Sequence, residues 1–230
     1  MPWFFRFPTI QTCALCHDAA AAGALCEACL DDLLDLSAQG EHLCPKCMAY
    51  SANAQVCPDC EAEPPPLQAV WGSLRYQAPV PAMLHRWKHQ GHSALLEAFW
   101  QAMRHAPPPW LENSEIDAVL GMPVSRERRL QRGFNQSEEL AARIADEYGF
   151  ALLPRDTVLR RHRPPQSTLG REERARNIRQ VFRLNHHIRG QNILLVDDVM
   201  TTGSSLYALA HTLIRGGAQV YAWVLAKNHD

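Results

Sequence analysis

Asn192-Ile193-Leu194-Leu195-Val196-Asp197-Asp198-Val199-Met200-Thr201-Thr202-Gly203-Ser204-Ser205 carries the most information of any segment in this 230-residue chain. Its apolar start, Ile193 to Val196, has the character of a strand buried on both faces of a parallel sheet. Beyond the polar segment, Leu206, Leu209, Ala210, Leu213 and Ile214 recur at helical spacing, and Gly216-Gly217 supplies the stop. Residues 219–225 then read as a second strand, so the unit is β-loop-α-β.

In such a sheet, ligands sit at the carboxyl ends of the strands. A loop of Thr, Ser and Gly opening a helix offers N–H groups, hydroxyls and the positive end of the helix dipole to a phosphate. Gly203 lets the main chain come close. Asp197 and Asp198 add carboxylates that can accept hydrogen bonds from vicinal sugar hydroxyls or help hold hydrated magnesium. Phosphate donors beside an acidic pair suit a ribose 5-phosphate. Neither Gly-x-x-x-x-Gly-Lys-Ser/Thr nor Gly-x-Gly-x-x-Gly occurs, which excludes an ATPase loop and a dinucleotide fingerprint.

Upstream, residues 116–120 read as another strand and 121–128 as the loop after it. Asn135 with Glu138 makes a capping-box-like helix start, Leu140, Ile144 and Tyr148 share a face, and Gly149 ends the helix. Arg126, Arg128 and Arg132 lie around this second loop, where a pyrophosphate would need charge-assisted partners.

The N-terminal quarter is of another kind. All eight cysteines fall before residue 61, as Cys13/Cys16, Cys26/Cys29, Cys44/Cys47 and Cys57/Cys60, and the two halves repeat the same spacing. A two-residue spacer turns both sulfurs toward one tetrahedral ion, so two structural zinc ions are expected. The duplication favours sequential ligation, with an interleaved cross-brace using the same ligands as the alternative. A disulfide framework or thioredoxin-type redox pair fits less well, because no export signal precedes the pairs and there are four in a row. The three prolines at 64–66 mark a semi-rigid spacer, dividing a module at 1–66 from a domain at 67–230.

Apolar residues make up 47% of the chain and charged residues 20%, which is the composition of a globular protein. The N-terminal apolar stretch is too short to cross a membrane, so a soluble, cytoplasmic protein without membrane insertion is expected. The net charge of −1 conceals an asymmetry. Residues 1–66 hold two basic and nine acidic side chains, whereas 126–189 hold fifteen arginines and eight acids. Of these two pieces, the arginine-rich one is the surface expected to meet phosphates or nucleic acid, its plainer reading being a set of solvated helix faces.

Residues 193–205 resemble the phosphoribosyl-pyrophosphate (PRPP) motif of type I phosphoribosyltransferases. Pro123-x-Ser125-Arg126-x-Arg128, Arg132-Gly133-Phe134-Asn135-Gln136 and the run Gln166, Leu169, Arg174, Asn177, Phe182 narrow the likeness to the ComF family, which includes GntX-like proteins. This resemblance implies an α/β fold: a phosphoribosyltransferase-like parallel sheet flanked by helices, behind a small N-terminal zinc-ribbon module. It implies that Asp197 and Asp198 contact the ribose hydroxyls and that the loop Val199, Met200, Thr201, Thr202, Gly203, Ser204 and Ser205 cradles the 5-phosphate. Lys88 would approach the phosphates. Residues 155–183 would form an arm over the site, with Arg160, Arg163, Gln166, Arg171, Arg174 and Asn177 as contacts.

The implied chemistry is transfer of phosphoribose from PRPP, with magnesium, in a protein linked to DNA uptake, competence or use of DNA. The acceptor is open. No hood follows residue 225, so an acceptor pocket would come from residues 67–115, with Trp71, Tyr76, Trp87, Phe99, Trp100 and Trp110 available for stacking and at least half of them expected in the core. The alternative function is a non-catalytic protein that binds PRPP, a nucleotide or single-stranded DNA, its zinc module docking a DNA-uptake partner.

Overall fold

The computed structural model describes residues 11–20, 24–37, 42–90, 94–161 and 181–228. Its centre is a parallel five-stranded sheet ordered β3 (Val70–Arg75), β9 (Gln219–Lys227), β8 (Asn192–Met200), β4 (Ala118–Gly121) and β5 (Ala151–Leu152). Strand β8 runs four residues past the apolar segment because β9 is equally long. The ladder continues through Asp197 opposite Val224 to Met200 opposite Lys227, so both aspartates are held in the sheet.

Each face has its own core. Leu194, Val196 and Trp223 pack with α3 (Val80–Gln90), α4 (Ala94–His105) and α6 (Gln136–Tyr148). Ile193, Leu195 and Val224 pack with α7 (Ser204–Arg215) and with the antiparallel hairpin β6 (Val158–Arg160) and β7 (Phe182–Leu184). The alternation of neighbouring residues between two buried faces explains the continuous apolar run. The buried polar groups are chained: Trp223 Nε1 donates to Ser73 Oγ at 2.8 Å, and Ser73 Oγ donates to the Ala106 carbonyl at 2.8 Å.

The cysteine-rich segment covers the β3 edge of the sheet. It carries the short strands β1 (Gln11–Thr12) and β2 (Ala19–Ala20) and the helices α1 (Glu27–Leu34) and α2 (Pro58–Ala62). Helix α1 packs on α4, and the Leu25 N–H donates to Gln101 Oε1 at 3.3 Å. Edge donors of β3 are satisfied from this segment: the Arg75 N–H by the Leu36 carbonyl at 2.8 Å and the Gly72 N–H by Met48 Sδ at 2.8 Å. An exposed strand edge is thereby capped.

Helix ends follow local chemistry. Ser125 caps α5 (Arg126–Arg132), its Oγ accepting from the Arg128 N–H, and Gly133 ends that helix in the left-handed region. Asn135 caps α6 through the Ser137 N–H, while its amide donates to the Met122 carbonyl at 3.0 Å. Gly149 ends α6 as its sequence predicts.

Candidate functional site

Strand β4 connects to β5 across one face of the sheet through α5 and α6, and β8 connects to β9 across the other through α7. The crevice between the carboxyl ends of β4 and β8 is therefore the point where the chain winds in opposite directions, the place where open α/β sheets bind ligands. A cavity of about 250 Å³ opens there. Its walls include Asp197, Asp198 and the loop through Ser205, with Lys88 of α3, Arg128 and Arg132 of α5, Gln136 and Ser137 of α6, and Arg160 of β6.

Close packing fixes the acidic pair. Gly121, the last residue of β4, lies where a Cβ would stand 2.6 Å from the Glu138 main-chain nitrogen, so only glycine lets α6 begin directly on the strand. That approach brings the Ser137 hydroxyl to donate to Asp197 Oδ1 at 2.9 Å, an oxygen that also accepts from the Asp198 N–H at 2.9 Å. Lys88 Nζ meets Asp198 Oδ2 at 2.8 Å. Burial and the neighbouring Asp198 charge push Asp197 up to about 7, against the lowering pull of the Asp198 N–H, Ser137 and Lys88.

The loop meets the demands of a phosphate site. Gly203 takes φ 74° as the N-terminal cap of α7, and a side chain there would strike Met200 and Tyr207. Thr202 Oγ1 and Ser204 Oγ lie 2.8 Å apart, and the first turn of α7 holds no acidic residue. The opposite wall is cationic. Arg128 and Arg132 are four residues apart on α5 and share its cavity face, whereas Arg126 is exposed and does not line the cavity. Arg160 is partly buried between the Pro123 carbonyl, accepting at 3.3 Å, and the Phe182 ring. Burial first, then the Arg128 charge, lowers its affinity for its proton.

Two contributors had no assigned role in the sequence reading. Ser137 is 60 residues from Asp197, and only the Gly121 contact brings them together. Gln136 is 1% exposed, and its Nε2 has no hydrogen-bond partner among the described residues although its Oε1 accepts from Arg132 at 3.5 Å. It therefore stands on the cavity wall as a buried donor still open to a partner. Arg129 turns away from the cavity to pair bidentately with Glu138, Nη1 to Oε2 at 2.8 Å and Nη2 to Oε1. Arg163, Gln166, Arg171, Arg174 and Asn177 fall outside the described residues. Of the six aromatics between 67 and 115, none lines the cavity, and Trp87, Phe99 and Trp100 are buried in the core.

The cysteines form two groups, Cys13, Cys16, Cys26, Cys29 and Cys44, Cys47, Cys57, Cys60, with the sulfurs of each within 4.8 Å of one another. The grouping is the sequential one. Cys16 and Cys26 Sγ are 3.6 Å apart and Cys47 and Cys57 Sγ 3.7 Å, close to the roughly 3.8 Å edge of a tetrahedron with zinc–sulfur bonds of about 2.3 Å. Main-chain N–H groups of Leu15, Lys46, Ala49 and Cys57 point at the sulfurs. Burial alone would raise the thiols, but main-chain N–H groups of Cys16, Cys26 and Leu15 bring Cys13 down to about 6, and those of Cys57, Lys46 and Cys47 bring Cys44 to about 7. Burial and the other sulfurs push Cys29 and Cys60 up. Each group thus fits a four-thiolate zinc site.

The second group lies against the back of the loop at 199–205. Met48, 1% exposed, shares a core cluster with Met200 and Leu206. Tyr207 is raised by burial and then by the charges of Cys47, Cys60, Cys44 and Cys57. Lys227 Nζ, 6% exposed as a residue, donates to the Thr201 carbonyl at 3.2 Å and to that of Asn228.

No family model matches the chain. It is 30% identical over 190 residues to the DNA utilization protein YhgH of Salmonella typhimurium, covering 80% of this chain and 84% of that protein. Competence protein ComFC of Bacillus subtilis is 26% identical over 212 residues, covering 89% and 84% respectively. Among solved structures, adenine phosphoribosyltransferase from Rhodothermus marinus is similar at 19% identity and a TM-score of 0.34, over 59% of this chain and 69% of that one.

Proposed function

The chain belongs to the ComF family of competence and DNA utilization proteins, and on that premise we propose that it transfers phosphoribose from PRPP to an acceptor in the service of DNA use or uptake. The observation that carries this reading is a single cavity with an acidic pair on its floor, a helix-opening Thr/Ser/Gly loop at one end and Lys88, Arg128, Arg132 and Arg160 around it. The 5-phosphate takes the first N–H groups of α7 and the hydroxyls of Thr202, Ser204 and Ser205. The ribose hydroxyls donate to Asp197 and Asp198, and the pyrophosphate meets the arginines and the Gln136 amide.

The anomeric C1–O bond breaks with its electron pair leaving on pyrophosphate. A lone pair of the acceptor forms the new bond to C1, and the acceptor's proton passes to solvent. The acidic pair suits a hydrated magnesium ion carried in with PRPP, which would supply further neutralisation of the leaving group. Arg128 and Arg132 stabilise the charge that develops there, and Asp197 and Asp198 hold the ribose in line. No nucleophilic side chain is required. Zinc would fill both cysteine sites structurally, with residues 1–66 and 67–230 as the proposed units of a cytoplasmic protein. Among the described residues, no helix is long and apolar enough to cross a membrane.

A second reading, a protein that binds PRPP or a nucleotide and holds single-stranded DNA without transfer, is favoured by a separate surface. Arg161, Arg183 and Arg215 surround a cavity of about 480 Å³ floored by Phe182 and Leu184, and none of the three meets a carboxylate among the described residues. Pyrophosphate release from PRPP and magnesium, measured with bases, nucleotides and DNA as acceptors, separates the readings. Transfer predicts release that falls roughly a hundredfold or more in Asp197→Asn/Asp198→Asn. Tight PRPP binding with no release on any acceptor overturns it in favour of the second.

A further inference from the structure

A second cavity, of about 290 Å³, adjoins the first and shares Lys88, Arg128 and Arg132 with it. Its remaining walls are His89 on the last turn of α3, Gln131 on α5 and Phe134 at the start of the α5–α6 connection. No acidic residue lines it. Lys88 stands on the partition, its ammonium bound to Asp198 Oδ2, so a molecule in this second lobe lies beside the place where ribose hydroxyls would sit. Arg128 and Arg132 meet no carboxylate among the described residues, which leaves their charge for a ligand.

We propose that this lobe is the acceptor subsite and that the acceptor carries a phosphate. The inference rests on the transferase reading and specifies its missing half. A neutral base recognised by stacking alone would need a broad aromatic wall, but Trp87, Phe99 and Trp100 are in the core, and the lobe offers only the Phe134 ring and the smaller His89 imidazole. Lys88, Arg128 and Arg132 are shared with the pyrophosphate side, and what the lobe adds to them is His89 and the Gln131 amide, further donors for phosphate oxygens. Phe134 offers a single face on which a base attached to that phosphate can lie. The phosphate can belong to a free mononucleotide or to the 5′ end of a DNA strand.

The test is calorimetric titration of the full, zinc-loaded chain with PRPP, inorganic pyrophosphate, adenosine, adenosine 5′-monophosphate, and oligothymidylate with and without a 5′-phosphate. The expected result is at least tenfold tighter binding of a phosphorylated probe than of its unphosphorylated partner. His89→Ala/Gln131→Ala is expected to lose about tenfold for that probe while PRPP and pyrophosphate change less than twofold. Preference for the mononucleotide or for the strand end identifies the source. If the double variant weakens PRPP or pyrophosphate as much as the phosphorylated probes, the lobe serves the leaving group and the proposal falls. Equal binding with and without phosphate overturns it as well. Failure of PRPP to bind the parent protein would defeat the transferase reading separately, since the phosphate probes are titrated independently of it.

Discussion

The two four-cysteine units have the same internal spacing but opposite positions on the sheet. The first supplies Cys13, Leu30 and Leu33 to the core shared with α3, α4 and α6, away from the phosphate loop. The second places Met48 in the core shared with α7 and reaches Tyr207 and Lys227 behind that loop. A duplicated sequence has thus been used as two unlike supports. The first stabilises the fold, and the second also shapes the surface on which a phosphate would rest.

The strongest way to break this contrast is to remove one metal at a time. Cys44→Ser/Cys47→Ser is expected to lower zinc from two to one per chain and to weaken PRPP binding at least tenfold, because metal-binding free energy on the order of 10 kcal/mol no longer orders that unit. Cys13→Ser/Cys16→Ser should lose the same zinc and a comparable amount of thermal stability, yet leave PRPP affinity within about twofold wherever the chain remains folded. Equal losses of affinity in both would abolish the distinction.

A finer probe leaves both metals in place. Leu33→Ala and Met48→Ala each remove a fully buried side chain, and each should cost about 2–5 kcal/mol in denaturant unfolding. Only Met48→Ala is expected to shift PRPP affinity as well. At Lys227, Lys227→Met keeps the length and loses the donor to the Thr201 carbonyl, so a fall in affinity of a few-fold at nearly unchanged kcat is expected.

The smallest effect belongs to neither unit and serves as the control. Burial works to raise Glu138, but its hydrogen bonds to Arg129 and Asn135 outweigh that and hold it below its ordinary value of 4.5. Because the folded value is the lower one, this stabilisation is present above pH 4.5 and is lost as pH falls through the folded value. Both partners are partly exposed, so about 1 kcal/mol is at stake. Glu138→Gln should flatten the acid limb of a stability profile by that amount without altering zinc content, whereas acid loss through the thiolates releases metal. A variant that released zinc earlier would show that α6 and the metal units are coupled.

The contrast between the units lies beyond what the sequence could tell. Two identical spacings predict two zinc sites, and the sulfurs gather into two groups that could each hold an ion, but position on a sheet edge depends on tertiary packing that no spacing encodes. The loop at 193–205 was legible because its strand, acids, donors and helix are contiguous. The cationic wall was legible in type and less so in detail: helical periodicity selects Arg128 and Arg132 for one face and leaves Arg126 outside it. Ser137 and Gln136 went unassigned because their roles come from a contact between distant segments. Of the six aromatics in residues 67–115, at least half were expected in the core, and Trp87, Phe99 and Trp100 are there, where large aromatics gain most from leaving water.

Gly121 sets the tolerance of the whole site. Since α6 rests on β4 main chain against main chain, the gap between the Asn135–Ser137 corner and the Asp197–Asp198 floor is gauged by peptide units rather than by side chains that can change rotamer. The acidic end of the cavity is therefore a fixed template. The wall opposite is built from long side chains instead, Lys88, Arg128 and Arg132, which have rotamers to choose from where the floor has none.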